Sequence, residues 1–159
     1  MPESRSSSSN PIPQAGRPDP ALKRLQKLVG TWELKGRTLD ATEDTISGRV
    51  TIEWLPGGFF LQMRGTIESM GFALESLEIL RYDPSTNTFP ALVYSSMNGV
   101  PLQYWWDVQG DVVTHWTEGA NYTGRFSDDG NILSGGWRPD EGHEATAGNT
   151  YDADMIRAK

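Results

Sequence analysis

The chain contains no cysteine. That excludes disulfides, thiolate metal ligands and cysteine nucleophiles together, and it suits a reducing cytoplasm, the location expected here. Long apolar runs are also missing: nothing approaches the ~18–20 residues of a membrane-spanning helix. Positive charge is scarce, with 14 Lys and Arg against 21 Asp and Glu and a formal net charge of −7. The basic residues are scattered singly apart from Lys23, Arg24 and Lys27. Nucleic acid needs a concentrated basic face, so neither nucleic acid nor membrane is an expected partner. With 2 histidines and no His-x-x-x-His or His-Glu-x-x-His spacing, no metal is expected. No nucleophile elbow, P-loop or dinucleotide fingerprint occurs. Gly57-Gly58 and Gly135-Gly136 sit among strand patterns and open no helix. Asp128-Asp129-Gly130-Asn131 lacks the spaced ligands and distal Glu of a calcium loop. No cofactor is expected.

What remains is a chain of 159 residues, read most simply as one domain. The stretch MPESRSSSSNPIPQAGRPDP has no apolar core of a secretory signal. Residues 1–18 therefore read as a disordered tail, because they offer almost nothing to bury, and residues 19–159 as the folded domain. Asp19 is placed to cap a helix and Pro20 fits its first position. Leu22, Leu25, Leu28 and Val29 follow at three- and four-residue spacing, which predicts an amphipathic helix over 20–29 that Gly30 stops.

Everything afterwards reads as short strands: 31–39, 46–54, 58–68, 74–82, 88–96, 101–108, 111–118, 121–127, 132–138 and 149–157. Turn chemistry separates them, as in Pro56-Gly57-Gly58, Asp83-Pro84-Ser85-Thr86-Asn87, Asn98-Gly99 and Gln109-Gly110. Strands at such short spacing with no crossover helix predict an antiparallel meander. An open sheet of that width exposes two edges, whereas closure removes both. The predicted fold is all-β: a closed, up-and-down antiparallel barrel of about ten strands, with the helix plugging one end.

Alternation sorts the faces. Val50, Ile52 and Trp54 share one; so do Phe59, Leu61, Met63 and Ile67; Leu102, Tyr104, Trp106 and Val108; Tyr122 and Phe126. The strands at 74–82 and 88–96 carry apolar residues on both faces, which predicts cover outside the barrel or a homodimer contact. The inward set is rich in rings. These rings either fill the barrel or line a hollow for one small ligand, and a barrel of eight to ten strands is wide enough for a hollow. The expected ligand-binding residues are Trp54, Phe59, Leu61, Met63, Tyr104, Trp106, Trp116, Tyr122 and Phe126.

A short helix, then Gly30-Thr31-Trp32 on the first strand, then an antiparallel barrel resembles the calycin superfamily. In lipocalins a Gly-x-Trp opens strand one and a basic residue near the end of the last strand packs across the indole. Arg157 occupies the matching place, so the resemblance implies structural roles for Gly30, Trp32 and Arg157. A closer resemblance is to an uncharacterised bacterial branch of calycin-like proteins, a domain family of unknown function. It rests on Leu28-Val29-Gly30-Thr31-Trp32, on Trp54-Leu55-Pro56-Gly57-Gly58-Phe59-Phe60, on Tyr82-Asp83-Pro84 and on Gly124-Arg125-Phe126-Ser127-Asp128-Asp129-Gly130-Asn131, and spans about residues 22–157. It implies a fold and no activity. Nitrobindins, a related haem-binding group, open with a motif similar to Gly-x-Trp-x-Gly-x-Gly and place a ligating His close to the last strand. This chain keeps Gly30, Trp32 and Gly36, has Leu34 at the middle Gly, and has no His from Tyr151 to Lys159.

Among titratable groups, His115 falls on the face opposite Trp116, and Glu78 and Glu118 share faces with apolar neighbours. An inward carboxylate or imidazole is the type of group that general acid–base chemistry uses, so these three are the candidate catalytic residues. The leading expectation is a protein that binds a small apolar or aromatic molecule inside the barrel. The alternatives are a small cavity enzyme of the isomerase, cyclase or hydratase type using inward Glu, Tyr or His, and nitrobindin-like haem binding.

Overall fold

The computed structural model describes residues 16–159. The tail expected over residues 1–18 therefore lies, for residues 1–15, outside the described residues. A 3-10 helix, Pro20–Leu28, precedes ten strands: β1 (Gly30–Thr38), β2 (Ile46–Trp54), β3 (Leu61–Ser69), β4 (Phe72–Leu80), β5 (Phe89–Ser95), β6 (Leu102–Gln109), β7 (Val112–Thr117), β8 (Ala120–Phe126), β9 (Ile132–Pro139) and β10 (Tyr151–Arg157). Each pairs antiparallel with its neighbours in sequence, and β1 pairs with β10, with Trp32 opposite Arg157. The sheet is thus the closed up-and-down barrel that the turn chemistry predicts, and it leaves no strand edge to template aggregation. No helix among the described residues is long and apolar enough to cross a membrane.

The leading helix winds as a 3-10 helix rather than an α-helix. At three residues per turn, side chains three apart eclipse on one face. Leu22, Leu25 and Leu28 have that spacing and are all buried, the last two completely. Asp19 accepts from the Ala21 N–H at 2.9 Å, and Pro20 follows it without sacrificing a needed donor. The helix ends at Val29 in an extended conformation, and Gly30 opens β1 at φ 135°. Gly30 therefore serves the entry into the strand, not a left-handed helix stop. The basic cluster fastens this plug to the barrel. Arg24 pairs with Asp107 at 2.5 Å and lies 4.8 Å over the Phe89 ring, while Lys27 pairs with Asp111 at 2.8 Å.

Parity then divides the strands. The inward residues nearest the helix, among them Trp32, Leu61, Leu80, Phe89, Val113 and Leu133, are at most 1% exposed. Each such side chain stabilises the fold by ~1.5–3 kcal/mol relative to exposure. A smaller cluster of Leu34, Ile46 and Ala153 forms toward the opposite end. On β5 the outward Leu92 and Tyr94 stay 40% and 46% exposed. The apolar residues on both faces of that strand thus divide between the barrel interior and the surface.

Candidate functional site

Between the two packed layers the barrel is hollow. The cavity has a volume of ≈ 340 Å³, toward the small end of the ~300–1,000 Å³ seen for small-molecule pockets. It runs from Leu28 and Leu133 at the helix end, past Met63, to Leu74, Thr117 and Gly148 toward the other. Its wall is mostly apolar, with rings from Tyr104, Trp106, Tyr122, Trp137 and Tyr151. The Tyr122 hydroxyl leans over Gly124 and Gly135, where a Cβ would collide with it. Two small residues paired across β8 and β9 clear the space that this phenol occupies.

One polar cluster interrupts the apolar wall. Glu78 of β4 is 9% exposed, and its carboxylate accepts a hydrogen bond from the Trp106 indole N–H at 2.6 Å. His115 of β7 pairs directly opposite Trp106 in the sheet and stacks on it, with centroids 3.7 Å apart and planes 18° from parallel. The edge of Trp137 closes on the imidazole at 4.9 Å and Tyr104 lies at 5.1 Å. His115 Nε2 lies 3.4 Å from Glu78 Oε2 without forming a hydrogen bond. It is a buried side-chain nitrogen with no partner among the described residues. A hydrogen-bonding group delivered to this nitrogen is worth ~1–3 kcal/mol relative to leaving it unpaired.

The phenols around it are held protonated. Burial, and then the negative charge of Glu78, push the Tyr104 hydroxyl above its ordinary value. Burial, and then Tyr104, push Tyr151 up to about 12. Burial, followed by Tyr151 and Asp154, raises Tyr122 as well. At neutral pH all three are donors.

The sequence-based candidates divide by place. Met63, Tyr104, Trp106 and Tyr122 line the cavity, as do Glu78 and His115. Leu61 and Phe126 are buried below it, in the layer against the helix. Trp54 packs against that layer and donates its indole N–H to Gln26 at 2.9 Å. Phe59 lies outside, 37% exposed, because the Pro56–Phe60 turn delays the start of β3 to Leu61. Trp116 also points outward, since its neighbour His115 points in; it stacks on Trp105 with centroids 6.4 Å apart. Glu118 sits exposed in the turn after β7. Trp137 and Tyr151 are wall residues that sequence reasoning missed. Their signal was parity: Leu133, Gly135 and Trp137 share one face, as do Tyr151, Ala153 and Met155. No group of three or more His, Asp or Glu placed to hold a metal occurs among the described residues. At the barrel floor Trp32 is fully buried and Arg157 covers its ring.

A family model described as "Protein of unknown function (DUF1579)" matches residues 17–134. No curated protein matches the sequence. Among solved structures, one titled "Crystal Structure of Rv2717c from M. tuberculosis" superposes with a TM-score of 0.59 at 15% identity, covering 89% of this chain and 99% of that one. At that identity the likeness extends to the fold alone.

Proposed function

We propose, from the premise that the chain belongs to the DUF1579 family of proteins of unknown function, that it binds a small hydrophobic or aromatic molecule inside its barrel. The observation that carries this reading is the ≈ 340 Å³ hollow walled mainly by apolar side chains and rings. A core packed to ordinary density leaves few voids larger than a water molecule, and this one is bordered by an imidazole whose buried Nε2 has no hydrogen-bond partner among the described residues. Gly30-Thr31-Trp32 on β1 and the Arg157 cover of the indole support a calycin-like kinship, in which interior binding is the common use of the barrel. A cytoplasmic site of action is part of the same reading, in keeping with the absence of cysteine.

Thermal denaturation against a library of hydrophobic metabolites tests it. Ligand at about 100 times its Kd stabilises the fold by ~2.7 kcal/mol, a plain rise in Tm. A crystal structure with the interior filled by side chains, together with no stabilisation by any compound, would remove the proposal.

A second reading, a small cavity enzyme, draws on the convergence of Glu78, His115 and Tyr104 on one stretch of wall. A carboxylate, an imidazole and a protonated phenol within one cavity are the parts of a proton relay for isomerisation or hydration. Turnover of a bound ligand that stops in both Glu78→Gln and His115→Phe would establish it. Haem suits the hollow less well: ≈ 340 Å³ is small for a porphyrin, His115 is stacked on Trp106, and His143 is exposed in the loop before β10; a Soret band in protein mixed with haem that is lost in His115→Phe would establish it.

A further inference from the structure

We infer that the ligand of this cavity is a neutral hydrophobe carrying a single hydroxyl, of the phenol class, whose oxygen meets Glu78 and His115 together from the cavity side. The inference rests on the proposed binding role of the barrel and adds the chemical class of the ligand.

The argument starts from what the wall leaves unpaired. Glu78 accepts one hydrogen bond among the described residues, from Trp106 at 2.6 Å. A carboxylate has about four acceptor positions, so most of its capacity is unused. His115 Nε2 is buried and makes no hydrogen bond among the described residues, 3.4 Å from Glu78 Oε2. With a carboxylate oxygen that close, a proton on Nε2 avoids lone-pair repulsion, which makes Nε2 a donor. The wall therefore presents an acceptor and a donor side by side, within a hollow that is mostly apolar.

A hydroxyl satisfies both with one atom. Its hydrogen goes to Glu78, in a charge-assisted bond of the strong class, and its oxygen accepts from His115 Nε2. Several other common head groups fail on one side. A carboxylate brings a second negative charge to Glu78 in a low-dielectric site. A ketone or ether accepts from His115 and gives nothing to Glu78. A quaternary ammonium group donates no hydrogen bond and leaves Nε2 orphaned. An aromatic body suits the remaining surface, because Trp137, Tyr104 and Tyr122 offer ring faces and edges at which offset and T-shaped contacts form. The modest volume limits that body to one or two fused rings.

The full chain titrated calorimetrically with 2-naphthol, 2-methylnaphthalene and 2-naphthoate separates the possibilities. 2-Naphthol is expected to bind at least about tenfold tighter than its isostere 2-methylnaphthalene, because only the hydroxyl fills both partners. 2-Naphthoate is expected to bind weakest. In Glu78→Gln the hydroxyl preference should fall to about threefold or less while 2-naphthoate gains affinity, since the amide keeps the shape but removes the charge and turns an acceptor toward donation. His115→Phe keeps the stack on Trp106, removes the donor and should also shrink the preference; it carries the test if Glu78→Gln fails to fold. Equal affinity for 2-naphthol and 2-methylnaphthalene would leave the binding role intact and remove the hydroxyl assignment. Tightest binding of 2-naphthoate would remove it too. A preference unchanged in both variants would show that the hydroxyl sits elsewhere. Binding of none of the three would remove this inference and the binding role for ring compounds together.

Discussion

The guanidinium of Arg157 lies 4.1 Å from the centre of the Trp32 ring and reaches past it to three carbonyls. It donates to Val29 at 2.6 Å, Lys27 at 3.0 Å and Gly130 at 3.2 Å, while the Trp32 indole donates to Leu28 at 2.8 Å. The last strand thus closes the end of the helix, whose terminal carbonyls have no partner within the helix itself. A cation over an indole is worth ~0.5–2 kcal/mol, and charge-assisted bonds add more. Arg157→Met should lower unfolding free energy by about 2–4 kcal/mol in urea denaturation, and Arg157→Lys should recover only part, because an ammonium lacks the planar fork.

Gly30 is constrained by the same arginine. Its φ of 135° lies where side chains are rarely tolerated, and an added Cβ would stand 2.5 Å from Arg157 Nη1. Gly30→Ala should cost more than ~1 kcal/mol. The two substitutions should be non-additive: Gly30→Ala in an Arg157→Met background removes the clash and retains only the backbone strain. Additive losses in a double-mutant cycle would separate the glycine from the arginine.

The strands were legible because their punctuation is local. Ile46–Trp54 is bounded in the structure where alternation bounds it, and Pro56-Gly57-Gly58 marks the turn before β3. What failed was parity across a strand start and parity against aromaticity. Phe59 precedes β3 by two residues, so alternation carried backward from Leu61 has no strand to act on. Trp116 and His115 are adjacent, so a regular strand cannot turn both inward; the structure turns His115 to the cavity and leaves Trp116 stacked on Trp105 outside. The meeting of Glu78 with His115 lay beyond the sequence for a different reason. β4 and β7 are separated by two strands in the sheet, so their approach depends on barrel curvature and on the reach of Trp106. The helix type was visible in principle, since Leu22, Leu25 and Leu28 repeat at three and not at 3.6.

The buried phenols set an alkaline limit on the fold. Tyr151 titrates at about 12 against an ordinary 10.0, and Tyr104 and Tyr122 are raised too. A raised folded-state value means that the native chain holds protons the unfolded chain has released. The stabilisation is therefore complete below the ordinary tyrosine range and is lost as pH climbs from there toward 12. Unfolding free energy should fall with pH over that window, and tyrosinate absorbance from these phenols should appear only with unfolding. Tyr151→Phe should flatten the slope; an unchanged slope would assign it to other groups.

Ser76 and Leu61 distinguish the hollow from the packed floor. Ser76 lies two residues before Glu78 on the inner face of β4 and lines the cavity, whereas Leu61 is completely buried beneath it. Ser76→Phe places a ring into existing space. It should keep or raise Tm, since added apolar area is buried at ~25 cal/mol per Å² without new strain, and it should abolish stabilisation by a hydrophobic ligand. Leu61→Ala should do the reverse: a loss of about 2–5 kcal/mol from the cavity it creates in a packed layer, with the ligand response retained at temperatures where the variant is folded. Overpacking a filled core costs ~1–3 kcal/mol. A large drop in Tm for Ser76→Phe would therefore mean that this space is already occupied by side chains, and the binding role would fall with it.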